Sequence, residues 1–405
     1  MKKYIYSFLV FIPTLLVCLW FKDGLILGTS EGGIPFNNLD NLYEITRWTW
    51  AYPALGNSTG IFVASFPTYY VLSQLNSFGV PGFLLEASMF WLILVISGFA
   101  IFFLAKEVFS EIEDKFAFLA SVFYWFNPFF MVNVWNRFLY NHMLFVALLP
   151  LSLLLFIKGL KTKKYYFALL TSLATVIFSF ALTSTAFVLL LWFTFILTFV
   201  FYFNKREANF QIRYLLFLVL TFTLFNFWWL SQAFAFIGST TYSKTISNFF
   251  STQGNLGALT SLSQRLGKLT NTTRLIHETF FTDGPSWARI FGNRVFVILE
   301  FVIPGVVFYT IYKHSKIRGV RYLGLIYILT LFLMKGNEPP LGEIFQFFFI
   351  KLPFLQVFRN PFEKLGFLLP LTSSMLFAYG INKLFEKDNK RKIITYIGSL
   401  VFIAF

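Results

Sequence analysis

The side chains best suited to chemistry in this 405-residue chain are a few acids and cations set in very apolar sequence. The stretch GTSEGGIPFNNLDNLYEITRWTW carries Glu31, with Gly28 before it and Gly32 and Gly33 after it, and Asp40 follows nine residues on. A glycine-rich turn with Pro35 behind it lets the backbone approach a ligand while one carboxylate projects. Such a carboxylate can take a proton from a hydroxyl as general base or hold a cation. Asp23 and Glu44 lie in the same stretch. The plainer reading is a polar loop in which Asn38 or Asp40 caps a helix starting near Asn41.

A second constellation is FRNPFEK, residues 358–364. Arg359 and Lys364 flank a turn at Asn360–Pro361, just before an apolar run. An arginine binds phosphate through two parallel donors and a lysine adds a point charge, so the pair suits a phosphate or pyrophosphate. Snorkelling of both side chains to lipid headgroups is the alternative. WNRFLYNH, 135–142, offers Arg137 as a further phosphate contact and His142, a residue type common at helix ends. Glu278 and Asp283 in HETFFTDGPSW are further candidates. Glu86 and Glu300 fall inside apolar runs, where an ionisable group is costly and usually faces a cavity or partner. Glu300, roughly seven residues into its run, would lie about 10 Å deep. The acidic run EIED at 111–114 sits beside Lys106 and Lys115 and reads as a solvated charge cluster, not a metal site. No metal-type His/Cys spacing implies a cofactor, and the need for a divalent cation stays open.

The elements that must position these groups are set by composition. Apolar residues make up 57% of the chain, aromatics 22% and charged residues 13%, about half the charge of a soluble domain. That excludes a soluble globular enzyme, a disordered chain and a disulfide scaffold; the lone cysteine, Cys18, has no partner in the chain. The reading is an all-α polytopic membrane protein with about eleven spans, at 4–21, 84–105, 116–135, 142–157, 165–184, 186–204, 214–237, 293–312, 322–334, 365–382 and 393–405. The net charge of +15 then marks cytoplasmic loops, not nucleic-acid binding.

Residues 61–80 are apolar but carry Pro67 and six polar side chains. If they do not cross, and the N-terminus is cytoplasmic, 20 of the 33 Lys and Arg fall in inner segments. Crossing would flip every later loop outward, so the positive-inside rule places 61–80 on the outer face as part of a membrane-hugging loop. The outer loops are then 22–83, 238–291 and 335–364, and the chemistry belongs with them. The terminal run 393–405 is short for a span, which suggests that the natural chain continues past Phe405. Trp228 and Trp229 suit the outer aromatic belt.

This layout resembles the GT-C superfamily of integral-membrane glycosyltransferases. The segment ILGTSEGGIPFNN is similar to the acidic, glycine-rich, proline-containing start of that family's first outer loop, with Glu31 where Asp is usual. RNPFEK resembles a stretch of the large prokaryotic members, including the mycobacterial arabinofuranosyltransferase type. The Trp-Trp-Asp signature of oligosaccharyltransferases is absent, since Leu230 and Ser231 follow Trp229. The resemblance implies one GT-C-like transmembrane domain over 1–405, with interfacial helices in the first outer loop. It implies an inverting hexosyl- or pentosyltransferase of the plasma membrane, with its N-terminus cytoplasmic and its active site extracytoplasmic. The donor would be a polyprenyl-phosphate sugar and the acceptor a cell-envelope glycan or lipid. Glu31 or Asp40 would be the base, and Arg359, Lys364 and Arg137 would bind phosphate. A flippase or transporter of lipid-linked glycans is the main alternative, and the buried Glu86 and Glu300 would suit it.

Overall fold

The computed structural model describes residues 5–27, 34–48, 50–51, 57–58, 60–237, 252–276 and 294–387. The described chain is helical, apart from a short antiparallel pairing of Trp50–Ala51 with Asn57–Ser58. Among these residues five segments are long and apolar enough to cross a membrane: Gly82–Val108, Asp114–Trp135, Tyr140–Thr162, Thr185–Tyr202 and Lys205–Ala235. The protein is therefore an all-α chain with the helices of a membrane-embedded protein.

Several expected spans differ from the continuous helices that the hydropathy suggests, for local reasons. The run at 4–21 breaks into Ile5–Leu9, Phe11–Thr14 and Leu16–Trp20. Pro13 has no N–H for the Leu9 carbonyl, and its ring crowds that carbonyl. The run at 116–135 bends at Asn127, which is extended before Pro128 and caps the next turn by accepting from the Phe130 N–H at 3.0 Å. A π-helical turn, Met131–Trp135, completes it. The run at 165–184 is a helix of only 12 residues, Tyr166–Ile177, followed by the 3-10 turn Ser179–Thr183. The remaining long helices are Arg294–Lys313, Arg318–Met334 and Leu368–Lys387. The expected run at 393–405 lies outside the described residues.

The exposed faces carry the membrane signal as clearly as the helix lengths. On Ala208–Ile237 the residues Leu216, Leu220, Leu224 and Phe227 are all exposed, at three- and four-residue spacing. Leu169, Leu173 and Ile177 do the same on Tyr166–Ile177. A stripe of this kind would be penalised in water and is what a bilayer solvates.

The chain forms two compact units. One is built from described residues within Met1–Val10, Ile101–Asn136 and Phe250–Phe405. Here Leu368–Lys387 is the central helix, packed by Asp114–Phe126, Arg294–Lys313 and Arg318–Met334. At its end the Asn382 side chain accepts from the Glu113 N–H at 2.9 Å, and Lys383 pairs with Glu111 at 2.8 Å. The neighbouring ammonium of Lys383 holds the Glu111 carboxyl below its ordinary value, chiefly by its hydrogen bond. Lys106 pairs with Asp114 and Lys115 with Glu113, so the run expected as a solvated charge cluster is an ion-paired loop.

The other unit comprises described residues within Phe11–Ala100 and Arg137–Phe249. Tyr166–Ile177 packs between Ala208–Ile237 and Tyr140–Thr162. Polar side chains tie these apolar helices: Ser172 meets Thr221 at 2.8 Å, and Asn226 donates to Thr175 at 2.8 Å. Such links are worth about 0.6–2 kcal/mol each in a membrane bundle. Residues 61–80 become the 3-10 turn Gly60–Ser65 and the helix Phe66–Ser77. Twelve residues make a helix about 18 Å long, well under the roughly 30 Å hydrocarbon core, so this helix does not span by itself.

Gly82 opens the helix Gly82–Val108 directly against the Phe36 backbone, where a Cβ would overlap the carbonyl. Backbone cannot swing aside as a side-chain tip can. Gly82→Val should therefore lower stability by about 1–3 kcal/mol, read as a fall in the thermal unfolding midpoint of purified protein in nanodiscs. An unchanged midpoint would contradict this packing.

Candidate functional site

The first half of the site is built on a buried carboxylate. Glu86 is fully buried near the start of Gly82–Val108. Its Oε2 accepts from the Leu27 N–H at 2.8 Å, and its Oε1 accepts from the Tyr140 hydroxyl. A carboxylate away from water is tolerable only when its oxygens are bonded in this way. The Tyr140 ring in turn packs edge-on against Phe36 at 5.6 Å and Phe90 at 6.2 Å. Leu27 and Phe36 flank the Glu31 segment on either side, and Ile34 and Phe36 are buried at 0% and 2% exposure. Both flanks of that segment are thus fastened to one Glu86–Tyr140 pair. Glu31 itself lies outside the described residues.

Asp40 is exposed in the first turn of Leu39–Thr46. That helix starts earlier than the sequence suggested. Asn38 holds the cap position without a side-chain cap bond, and Asp40 is not a cap either. Instead its Oδ1 accepts from the buried Ser73 hydroxyl at 2.6 Å, which joins Leu39–Thr46 to Phe66–Ser77. Tyr43 reinforces the pair, with ring contacts to Phe66 at 5.8 Å and Tyr70 at 5.6 Å. Burial pushes the Tyr69 phenol, whose ring packs against Phe180 at 5.4 Å, up to about 12 against a smaller opposing pull from its hydrogen bond with Ser65, so it stays protonated. Glu44 pairs with Arg47 at 3.0 Å on the exposed surface.

Arg137 is half-buried beside Phe138, which takes a left-handed backbone with φ 49°. The Phe138 ring packs on Phe90 at 5.8 Å, and that contact helps hold an otherwise unfavourable conformation. His142 is buried. Its Nδ1 lies 2.8 Å from the Asn141 amide oxygen, and its ring rests edge-on against Phe187 at 4.8 Å. Trp229 is buried too and donates to Asn226 at 2.9 Å within its own helix, fixing the amide that reaches Thr175 on the next helix, and is no part of an interfacial belt. Asp40, Arg137, His142 and Glu86 all belong to this unit.

The cations Arg359 and Lys364 belong to the other unit and share one capped turn. The 3-10 helix Pro353–Phe358 ends at Arg359. Asn360 then caps Pro361–Leu365 by accepting from the Glu363 N–H at 3.3 Å. The turn is bolted down by Phe362 and Phe367, which meet the Phe129 ring at 5.8 Å and 5.7 Å. The buried Gln356 accepts from Asn255 at 2.9 Å just before it. Arg359 is exposed and Lys364 half-buried. Glu363 lies between them in sequence.

Glu300 is buried in Arg294–Lys313 and paired with Arg274, whose Nε donates to its Oε2 at 2.6 Å. Glu278 and Asp283 lie outside the described residues. Among the described residues no three His, Cys, Asp or Glu side chains cluster as a metal site would need. No protein-family model and no curated protein sequence matches the chain.

Two charged groups escaped the sequence reading. Arg274 sits in a polar stretch with no flanking pattern, 26 positions from its partner. Lys335 carried a signal, since it follows the apolar run ending at Met334 without a polar spacer. It is 2% exposed, donates to the Glu338 carbonyl, and lies 5.0 Å over the Phe332 ring. Burial pulls its ammonium below the ordinary lysine value, and the nearby Glu343 and Glu338 offset part of that fall.

Tyr140→Phe would remove the hydroxyl that donates to the buried Glu86 Oε1, so it should cost about 1–3 kcal/mol of stability, read as a lower thermal unfolding midpoint in nanodiscs; an unchanged midpoint would show the bond to be dispensable. For Lys335 the sign follows from the lowered value. Between that value and the ordinary 10.5 the unfolded chain holds a proton that the folded chain has lost, so stability rises with pH across this window. Unfolding midpoints of the native protein relative to Lys335→Met should climb through alkaline pH; a flat difference would show the amine to be solvated.

Proposed function

We propose that the protein is a GT-C-like membrane glycosyltransferase that moves a hexosyl or pentosyl group from a polyprenyl-phosphate donor to a cell-envelope glycan or lipid acceptor. In this reading it is a multi-pass plasma-membrane protein with about eleven spans, a cytoplasmic N-terminus and an extracytoplasmic site. The observation that carries the reading is the clamp of Leu27 and Phe36 by Glu86 and Tyr140. It fastens the two described flanks, Leu27 and Phe36, of the segment that carries Glu31, and a general base must be held within hydrogen-bond reach of the proton it takes. The paired helices Leu39–Thr46 and Phe66–Ser77 support it as the interfacial layer of the first outer loop.

The chemistry is a single displacement. Glu31 or Asp40 takes the proton of the acceptor hydroxyl. The acceptor oxygen forms a bond to the anomeric carbon as the carbon–oxygen bond to phosphate breaks, and the configuration inverts. The electron pair leaves on the lipid phosphate, whose growing charge Arg137 neutralises in the unit that holds Asp40; Arg359 and Lys364 are the phosphate-binding residues this reading proposes in the other unit. The lipid tail stays in the bilayer among the apolar helices.

Purified protein in nanodiscs, given a labelled polyprenyl-phosphate sugar and acceptor, should release the lipid phosphate. Glu31→Gln or Asp40→Asn, whichever is the base, should slow transfer about 10²–10⁴-fold with unchanged folding. Arg359→Ala should slow it too. Full transfer in both acid variants would remove the mechanism. Movement of intact lipid-linked glycan across liposomes without bond cleavage would establish the transporter reading in its place.

A further inference from the structure

Two basic turns far apart in sequence meet at one end of the unit that holds Tyr140–Thr162, Tyr166–Ile177 and Ala208–Ile237. The end of Tyr140–Thr162 and the turn after it carry Lys161, Lys163 and Lys164, and the turn before Ala208–Ile237 carries Lys205 and Arg206. Lys163 reaches Glu207 at 3.1 Å and joins the two. The Tyr165 ring closes the junction against Phe210 at 5.2 Å and Phe217 at 5.3 Å. The second turn is also fixed from within. Buried Gln211 accepts from the Asn204 N–H at 2.9 Å and donates to the Tyr202 carbonyl at 3.1 Å. Lys163 itself takes the left-handed conformation that usually falls to glycine at a helix end, with φ 57°. The cations therefore stand on a fixed mount.

Lys161, Lys163, Lys164, Lys205, Arg206 and Arg213 are all exposed. Between residues 158 and 213 the sequence has one acid, Glu207, and Lys163 already pairs with it. Like charges gathered in this way repel one another and attract anions. The neighbouring surface says which anion. Tyr165 and Tyr166 are exposed where Tyr166–Ile177 begins, and amphipathic rings of this type sit at headgroup level. The exposed stripe of Leu169, Leu173 and Ile177 starts five residues past Lys164, about 8 Å along the helix. On Ala208–Ile237 the exposed Leu216 follows Arg213 by three residues. The cations thus border the apolar belt one or two helical turns away, at the depth of lipid phosphates. A soluble polyanion has no use for that belt, whereas a phospholipid fits both halves of the surface.

We infer that this surface is a binding site for the headgroups of anionic phospholipids, with their chains lying along the apolar stripes of Tyr166–Ile177 and Ala208–Ile237. The inference rests on embedding in a bilayer and stands whether or not the chain transfers sugar.

The test is spin-label electron paramagnetic resonance on the full chain in phosphatidylcholine vesicles at low ionic strength, with spin-labelled phosphatidylglycerol and spin-labelled phosphatidylcholine as probes. The native protein should hold phosphatidylglycerol about fivefold more strongly, the factor that one surface cation supplies against an anionic headgroup. Lys164→Gln with Lys205→Gln should remove most of that preference. Glu207→Gln takes away the acid and should raise it, a gain that damaged folding cannot mimic. Lys313→Gln with Lys316→Gln, at exposed positions of the other unit, should leave it unchanged. Equal retention of the two lipids by the native protein would overturn the assignment. Equal loss in the two lysine pairs would overturn it too, by showing only the overall charge at work, as would a lowered preference in Glu207→Gln. Loss of the preference in sodium phosphate but not in sodium chloride of the same ionic strength would mark a site for the free anion in its place.

Discussion

The feature on which the proposed site depends is a carboxylate that cannot reach water. Glu86 has no solvent exposure, so its oxygens must be served by the protein, and they are served by the Leu27 amide and the Tyr140 hydroxyl. The cost of leaving either unbonded turns a loop position into a constraint. One bond fixes where the chain leaves the first apolar segment. The other fixes the ring on which Phe36 rests as the chain returns.

The same logic recurs elsewhere at lower stakes. Ser73 holds Asp40, Asn226 joins Thr175 to Trp229, and Asn382 receives the Glu113 amide. Helices so uniformly apolar have no polar face to orient them, and lipid solvates leucine as well as a neighbouring helix does. Sparse hydrogen bonds therefore choose the register that hydrophobicity leaves open. Prolines act in the opposite sense. Pro13 and Pro128 each withdraw a donor, and the chain responds with a break or a capped bend.

Much of the architecture was legible in the residue pattern. The helices at Gly82–Val108, Tyr140–Thr162, Thr185–Tyr202 and Ala208–Ile237 fall where apolar windows place them. The 111–114 acids read as a solvated charge cluster; Glu113 and Asp114 pair with the lysines beside them, while Glu111 pairs with Lys383, 272 positions away. The readings that changed were those needing a partner from afar. Asp40 reads as a cap from its neighbours, yet it is a link to Ser73, 33 positions away. Trp229 reads as interfacial from its type, yet it is enclosed and bonded to Asn226. His142, by contrast, stands in the first turn of Tyr140–Thr162, at a helix end as its type suggested, and is enclosed against Phe187.

Sequence alone determined that this chain must be helical and must meet lipid, because hydropathy and helix length are sums over neighbouring residues. It also placed acids and cations in short polar stretches. Only the tertiary structure decided which polar groups share a buried setting. Glu86 finds Leu27 and Tyr140 at separations of 59 and 54 positions, and Arg274 finds Glu300 at 26. No local pattern encodes such pairings, since each arises from packing whole helices and then satisfying whatever polar atoms that packing has enclosed.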